Sequence, residues 1–455
     1  MRLTPHGPSF LSWMDQAVFL AYAAAGHHAV IQLLWQYGSA VDVDGLQRFR
    51  ANLEHGLLAR LVQPAVLPMG RHRWVRVAPT HATLLVDAPP IPPQALRAWA
   101  DAQVELPLDP ALGPGWRLTV QPLTDGATAV SLVVSHCLSD GTATMLAVCD
   151  AVEGRRIALP FSAPTPGRYA ARALGELRQG ARDLPAALRA LPPLAGAAWR
   201  AMSRRMPKSR RAADGAPPAM EPVHTVALPS VSFRTEAAVL KAAARRRGVH
   251  RLTLLAALSA HFAVRLGRVH DGTVTLLIPV NLREGRSDLG ANRVALATVT
   301  VRVETLYEPL GALQETLNDA VAQAKHGAVH AAALLPLVPF IPRRLVATLG
   351  DLAFNAPTDR PVTCSHMGAL PDAAVRIDGS AAAWVGFRGV DRQVSAGNLA
   401  RRGGVATLLS GVLRDQLLLN FIAYEPGRVT EAEQLRQLVV ELLVDVDLPD
   451  AVMYA

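Results

Sequence analysis

The residues best suited to do chemistry lie in one stretch, ATAVSLVVSHCLSDGTATMLAVCDAV, residues 127–152. An apolar run delivers His136, and Asp140 and Gly141 follow at the spacing His-x-x-x-Asp-Gly. An imidazole exchanges a proton near neutral pH, so a histidine at a strand end is a natural general base. Asp140 lies across a tight turn, where a carboxylate can order backbone amides or pair with a cation, and Gly141 admits close backbone approach. His136 would then take the proton while Asp140 shapes the site. With 14 His and 33 Gly in 455 residues, chance supplies this pattern about 0.05 times per chain. The strand-to-helix setting therefore matters as much as the spacing. A structural histidine, or a site that has lost turnover, is the competing reading. Cys137 adjoins the base, but its position along the strand points it away from His136 and against a nucleophilic role.

The elements that must position these residues follow from hydrophobic periodicity. AVFLAYAAA reads as a helix, VIQLLWQYG as a strand, and DVDGLQRFRANLEHGLLARLV as an amphipathic helix opened by an Asp cap. WRLTVQPLTDGATAVSLVVSH is two apolar runs around Asp125-Gly126, a tight-hairpin signal whose second run ends at His136. Residues 1–158 thus form an α/β N-terminal lobe. Residues 159–222 are rich in Pro, Ala and Arg and read as a basic crossover linker, with helical pieces that set Leu, Trp and Met beside Arg. That pattern fits either a helix at a membrane surface or a solvated helix packing its apolar stripe on the protein. Residues 223–455 form a second α/β lobe. There VHTVALPSVSF, TVTLLIPVNLR and ATVTVRVETL are strand-like, a helix opens at Thr235, and LTLLAALSAHFAVRL is a buried helix.

Composition narrows the function classes. Half of the residues are hydrophobic and 18% are charged, which supplies large cores and excludes a mostly disordered chain. The net charge of +9 favours anionic partners such as phosphates, CoA-like groups, acidic carrier proteins or lipid surfaces. Cys137, Cys149 and Cys364 lack both metal-ligand spacing and disulfide density, so a cytoplasmic, reducing compartment is expected and no metal. His27-His28 do not have ligand spacing either. The N-terminal residues read as part of the fold rather than a secretory signal. The longest stretch without Asp, Glu, Lys or Arg, residues 16–41, divides into a short helical run and a strand-like run rather than one spanning helix, and residues 331–342 are broken by Pro336, Pro339 and Pro342. Attachment is therefore at most peripheral, at the inner membrane face. Basic residues without interleaved aromatics give nucleic-acid binding no support. Arg401-Arg402-Gly403-Gly404 could meet phosphates but also reads as a surface loop, and Arg245-Arg246-Arg247 reads as a helix end.

At SHCLSDG the sequence resembles the His-x-x-x-Asp-Gly acyltransferase superfamily, which includes wax ester synthase/diacylglycerol acyltransferases, polyketide-associated acyltransferases and nonribosomal peptide condensation domains. LSWMDQAVFL and LPLDPALGPGWRLTV resemble the wax ester synthase branch, and IPVNLREGRSDLGANRV resembles the second-lobe segment whose arginine pairs with the motif aspartate. The resemblance covers nearly the whole chain. It implies a two-lobed, chloramphenicol-acetyltransferase-like α/β fold with a channel between the lobes and His136 at its centre. It implies Arg283 as the partner of Asp140 and Asn292 as a structural residue. VTCSHMGALP matches the segment near the channel, which makes Ser365 and His366, with Ser135, candidates for the channel wall or the oxyanion. Ser135 stands where many relatives have a first histidine, and His366 where they have asparagine.

The activity implied is O-acyl transfer from acyl-CoA or an acyl carrier protein to a lipid-like or polyketide-like alcohol. The thioester, acyl-CoA or acyl-phosphopantetheine, is a co-substrate, and no cofactor is bound permanently. Two alternatives stand beside it: a free-standing condensation enzyme joining carrier-bound substrates through an amide, and an inactive binding subunit of the same fold.

Overall fold

The computed structural model describes residues 10–25, 28–77, 89–164, 167–203, 225–307, 309–327, 334–341, 360–392, 394–401, 403–446, 448 and 451–454. His27, Arg402, residues 204–222 of the basic linker, and residues 331–333 and Pro342 of the proline-broken run lie outside the described residues.

Two large sheets organise the chain. The first runs Trp384–Arg392, His28–Tyr37, Thr128–Ser135, Trp116–Pro122, with every neighbouring pair antiparallel. Thr128–Ser135, the strand that leads to His136, lies inside this sheet and is buried at all eight positions. Cover on both faces explains why burial runs through the whole strand instead of alternating. Val130, Leu132 and Val134 join a core with Leu46 and Phe49 of helix Val43–Leu53 and with Ala147 and Val148 of helix Gly141–Val152. Val133 faces the other way, onto Val104 of helix Leu96–Glu105. The Asp125-Gly126 hairpin forms as its residues dictate. Gly126 takes a positive φ of 85°, and the Asp125 carboxylate accepts from the Ala127 amide at 3.1 Å.

The second sheet has seven strands, in the order Val452–Tyr454, Ser230–Glu236, Gln416–Tyr424, Val405–Leu413, Val362–Leu370, Thr273–Asn281, Val294–Arg302. Val362–Leu370 runs parallel to both of its neighbours, and the other pairs are antiparallel. Along Thr273–Asn281 the buried residues alternate, Val274, Leu276, Ile278, Val280, and the strand packs against helices Arg251–Arg265 and Gly311–Lys325. Thr235 does not open a helix. Its backbone is committed to the ladder opposite Leu417, and the helix begins at Ala237 after Glu236.

One strand crosses between the lobes. Trp384–Arg392 belongs to the C-terminal part of the chain but pairs with His28–Tyr37 and completes the first sheet. Residues 223–455 therefore contribute to both sheets. Within the basic linker, Tyr169–Ser203 is one long helix. No helix among the described residues is long and apolar enough to cross a membrane.

Candidate active site

The half-buried His136 stands in the turn after Thr128–Ser135, where its amide donates to the Ala29 carbonyl of the adjacent strand at 3.0 Å. Four residues on, Asp140 is the N-cap of helix Gly141–Val152, its Oδ1 accepting from the Ala143 amide at 2.7 Å. Its Oδ2 accepts from the Arg293 amide at 2.9 Å and from Arg283 Nη2 at 3.2 Å. The Arg283 side chain is only 2% exposed and also donates to the carbonyls of Asp288 and Gly290 at 2.6 and 3.1 Å. Both Asp140 oxygens are thus held by N–H donors, and its own amide donates to the Ala291 carbonyl at 2.8 Å. Asp140 is a hub that joins the lobes.

Behind the imidazole lies a buried polar chain. Asn292 Oδ1 is 3.0 Å from His136 Nδ1, and Asn292 Nδ2 donates to Asp15 Oδ1 at 3.3 Å. Asp15 also accepts from the Asn292 amide at 2.8 Å and the Ala291 amide at 3.4 Å. A carboxylate only accepts, so the NH2 end of Asn292 must face Asp15 and its oxygen must face the histidine. That oxygen in turn requires a proton on Nδ1, which leaves the lone pair on Nε2. Asp15 and Asn292 are about as buried as side chains can be, so the arrangement is fixed in a medium that strengthens its electrostatics.

Arg60 fastens the same junction from another side. Fully buried and stacked over Trp74, it donates to the carbonyls of Leu138, in the motif turn, and Leu289, in the second-lobe loop. Burial lowers its pKa to about 10, with Asp15 acting in the opposite sense. The loop that answers the motif, residues 282–293, is therefore gripped by Asp140, Asp15 and Arg60 together.

The remaining sequence candidates are placed differently. The buried Ser135 hydroxyl faces the Cys137 thiol, whose pKa burial pushes up to about 12. Such a thiol is inert as a nucleophile at neutral pH. Gly141 lies under Met367: a Cβ there would come within 3.0 Å of the Met367 Sδ. Strand Val362–Leu370 thus meets the first turn of the motif helix. His366 shares a strand face with Val362 and Cys364 of the second-lobe core, just before a β-bulge between His366 and Ala369. His366 lies 3.0 Å from the Ser410 hydroxyl, which itself donates to the Ser365 carbonyl at 3.3 Å. Burial pushes the His366 pKa down, and Arg251 adds to the effect. The structure brings His136, Asp140, Gly141, Arg283 and Asn292 together and turns His366 away from them. Sequence reasoning missed Asp15, Arg60, Arg293 and Met367. The one available signal was Asp15, an acid inside the otherwise apolar LSWMDQAVFL.

Between the lobes, Gln32, Arg97, Ala100, Ser232, Phe387 and Arg388 are among the residues lining a cleft of about 20 Å³. Arg388 spans this seam, donating to Gln32 Oε1 at 2.7 Å and to Ser230 Oγ at 3.3 Å and pairing with Asp101. His136 is not among its lining residues.

No protein-family model matches the chain, and no curated protein matches it. Solved structures do. The first condensation domain of the CDA synthetase is 15% identical with a TM-score of 0.58, over 99% of this chain and 100% of that one. Polyketide synthase associated protein 5 from Mycobacterium tuberculosis is 16% identical with a TM-score of 0.53, over 96% and 98%. The nonribosomal peptide synthetase FmoA3 is 20% identical with a TM-score of 0.55, over 97% of this chain and 42% of that one. Identities this low speak to architecture alone, and the architecture is the two-lobed, chloramphenicol-acetyltransferase-like α/β fold.

Proposed function

We propose that the chain is an acyltransferase in which His136 is the general base for attack of an amine or alcohol on an acyl thioester. The observation that carries this reading is the Asp15–Asn292–His136 chain, since it leaves an unprotonated Nε2 on a half-buried imidazole. Nε2 takes the proton from the acceptor as its nitrogen or oxygen bonds to the thioester carbonyl carbon. The tetrahedral intermediate then expels the thiolate, which recovers that proton from the imidazolium. While the ring is charged, Asn292 Oδ1 and Asp15 stand behind Nδ1–H and stabilise it. No acyl-enzyme forms, in keeping with the buried, high-pKa Cys137. Asp140, Gly141 and Arg283 hold the motif turn against the second lobe.

Between the acceptor classes, likeness to condensation domains favours amide formation between carrier-bound substrates over ester formation from free acyl-CoA. Likeness to a polyketide synthase associated protein keeps a polyketide-like alcohol as the second reading. In both, the thioester arrives on phosphopantetheine, of a carrier protein or of CoA, and the positive net charge suits its phosphate.

The test is thiol release from acyl-carrier and acyl-CoA donors, offered with carrier-bound amino acids or with long-chain and polyketide-like alcohols. Acceptor-dependent release that His136→Ala abolishes supports the proposal. Acceptor-dependent turnover that survives His136→Ala refutes the base assignment. Binding of donor without turnover under any acceptor would make the chain an inactive binding subunit.

A further inference from the structure

The helix Tyr169–Ser203 is built the wrong way round for a helix that packs only on protein. Ordinarily the apolar face turns inward and charges turn out. Here the inward face carries Glu176, Gln179 and Asp183, each 3% exposed or less, with Ala187 and Ala190. Glu176 accepts from the amides of Val66 and Leu67 at 3.0 and 2.9 Å, and Asp183 pairs with the buried Arg71 at 3.2 Å. The outward face carries Leu174, Leu177, Leu184, Leu188 and Leu191, which are 47–61% exposed. Steps of 3, 7, 4 and 3 residues lay them along one side for about 25 Å at 1.5 Å per residue.

Charge says what can cover that face. Both acids of the described helix are used up inside, while Arg178, Arg182 and Arg189 point outward along one edge of the leucine stripe. Tyr169, 64% exposed, stands at one end. In the sequence beyond Ser203, Arg204, Arg205, Lys208, Arg210 and Arg211 follow before any acid. A second copy of the chain would set arginines against arginines. Between Leu174 and Leu191 the exposed side chains of this face are leucine, alanine, proline and arginine, with no acid to pair with a cationic partner. We propose that this face docks on an anionic lipid bilayer, with the leucines entering the headgroup–acyl boundary and the arginines meeting lipid phosphates. The docking is peripheral, and it would present the enzyme to a membrane-held substrate or product.

The test is co-sedimentation of the full chain with phosphatidylcholine vesicles, with and without phosphatidylglycerol, at low and high salt. Binding is expected only to the anionic vesicles and is expected to weaken with salt. Replacing Arg178, Arg182 and Arg189 together by alanine should weaken it roughly a hundredfold. Leu177→Glu with Leu188→Glu should abolish it while circular dichroism and thermal unfolding stay unchanged, since neither side chain is in the core. Failure of the wild-type chain to bind anionic vesicles overturns the proposal. So does binding that the leucine variant leaves intact. A stable dimer that the leucine variant splits, or an acidic carrier protein that binds this face when vesicles do not, would assign the face to protein instead.

Discussion

Two half-buried histidines, His136 and His366, make the informative comparison. Each has its Nδ1 about 3.0 Å from a side-chain oxygen. Behind His136 that oxygen is an amide anchored to the Asp15 carboxylate, so a negative charge stands two hydrogen bonds from the ring. Behind His366 it is the Ser410 hydroxyl, whose proton goes to the Ser365 carbonyl, and the nearest charge that matters is the cation Arg251. The first ring is backed, through an amide, by a carboxylate; at the second, burial and a cation oppose the imidazolium. A histidine becomes a usable base through what stands behind it, not through burial or strand position alone.

The comparison can be broken or sharpened by substitution. His136→Ala should lower acyl transfer by about 10²–10⁴-fold with the fold retained, and His366→Ala should change turnover by about twofold or less. Equal losses at the two positions, read from initial rates, would erase the distinction. Arg283→Met leaves Asp140 without its buried cation and should cost about 3 kcal/mol of stability, measured by urea unfolding. An unchanged midpoint would mean that the interlobe pair contributes nothing. Asp15→Asn should lower kcat about tenfold with KM unchanged, because the Asn292 amide behind the ring loses its anchoring carboxylate. A change in KM alone would make Asp15 merely structural.

The smallest effect concerns pH and stability. The pKa of His366 is depressed below its ordinary 6.5 by burial. Between the folded and unfolded values the unfolded chain therefore binds more protons, so stability rises with pH through that window and falls as the solution is acidified below 6.5. His366→Gln should flatten part of the fall in Tm on acidification. His261, also lowered by burial, supplies a slope of the same sign that stays in the variant. An identical Tm–pH curve would show that His366 does not titrate with folding.

Much of this was legible in the chain. The Asp125-Gly126 hairpin, the apolar run ending at His136 and the Asp140 cap are local consequences of turn chemistry and periodicity. The pairing of Asp140 with Arg283 was reachable only through resemblance, because 143 residues separate them. Asp15 was hidden further still. Nothing local distinguishes a buried acid in an apolar helix from an exposed one at its first turn, and its partner Asn292 lies 277 residues away. The long basic helix shows the opposite failure. Its composition announced amphipathicity, but only packing revealed that the acids face inward and the leucines outward.

The positions of the elements, the strand that ends in the candidate base and the net positive charge could be read from the chain, because these depend on composition and on neighbours a few residues apart. The tertiary structure decided which nitrogen of His136 is free, which histidine stands aside, and that Trp384–Arg392 leaves its own lobe to complete the other sheet. Those outcomes rest on hydrogen bonds and burial between distant segments, and such contacts exist only once the chain has closed on itself.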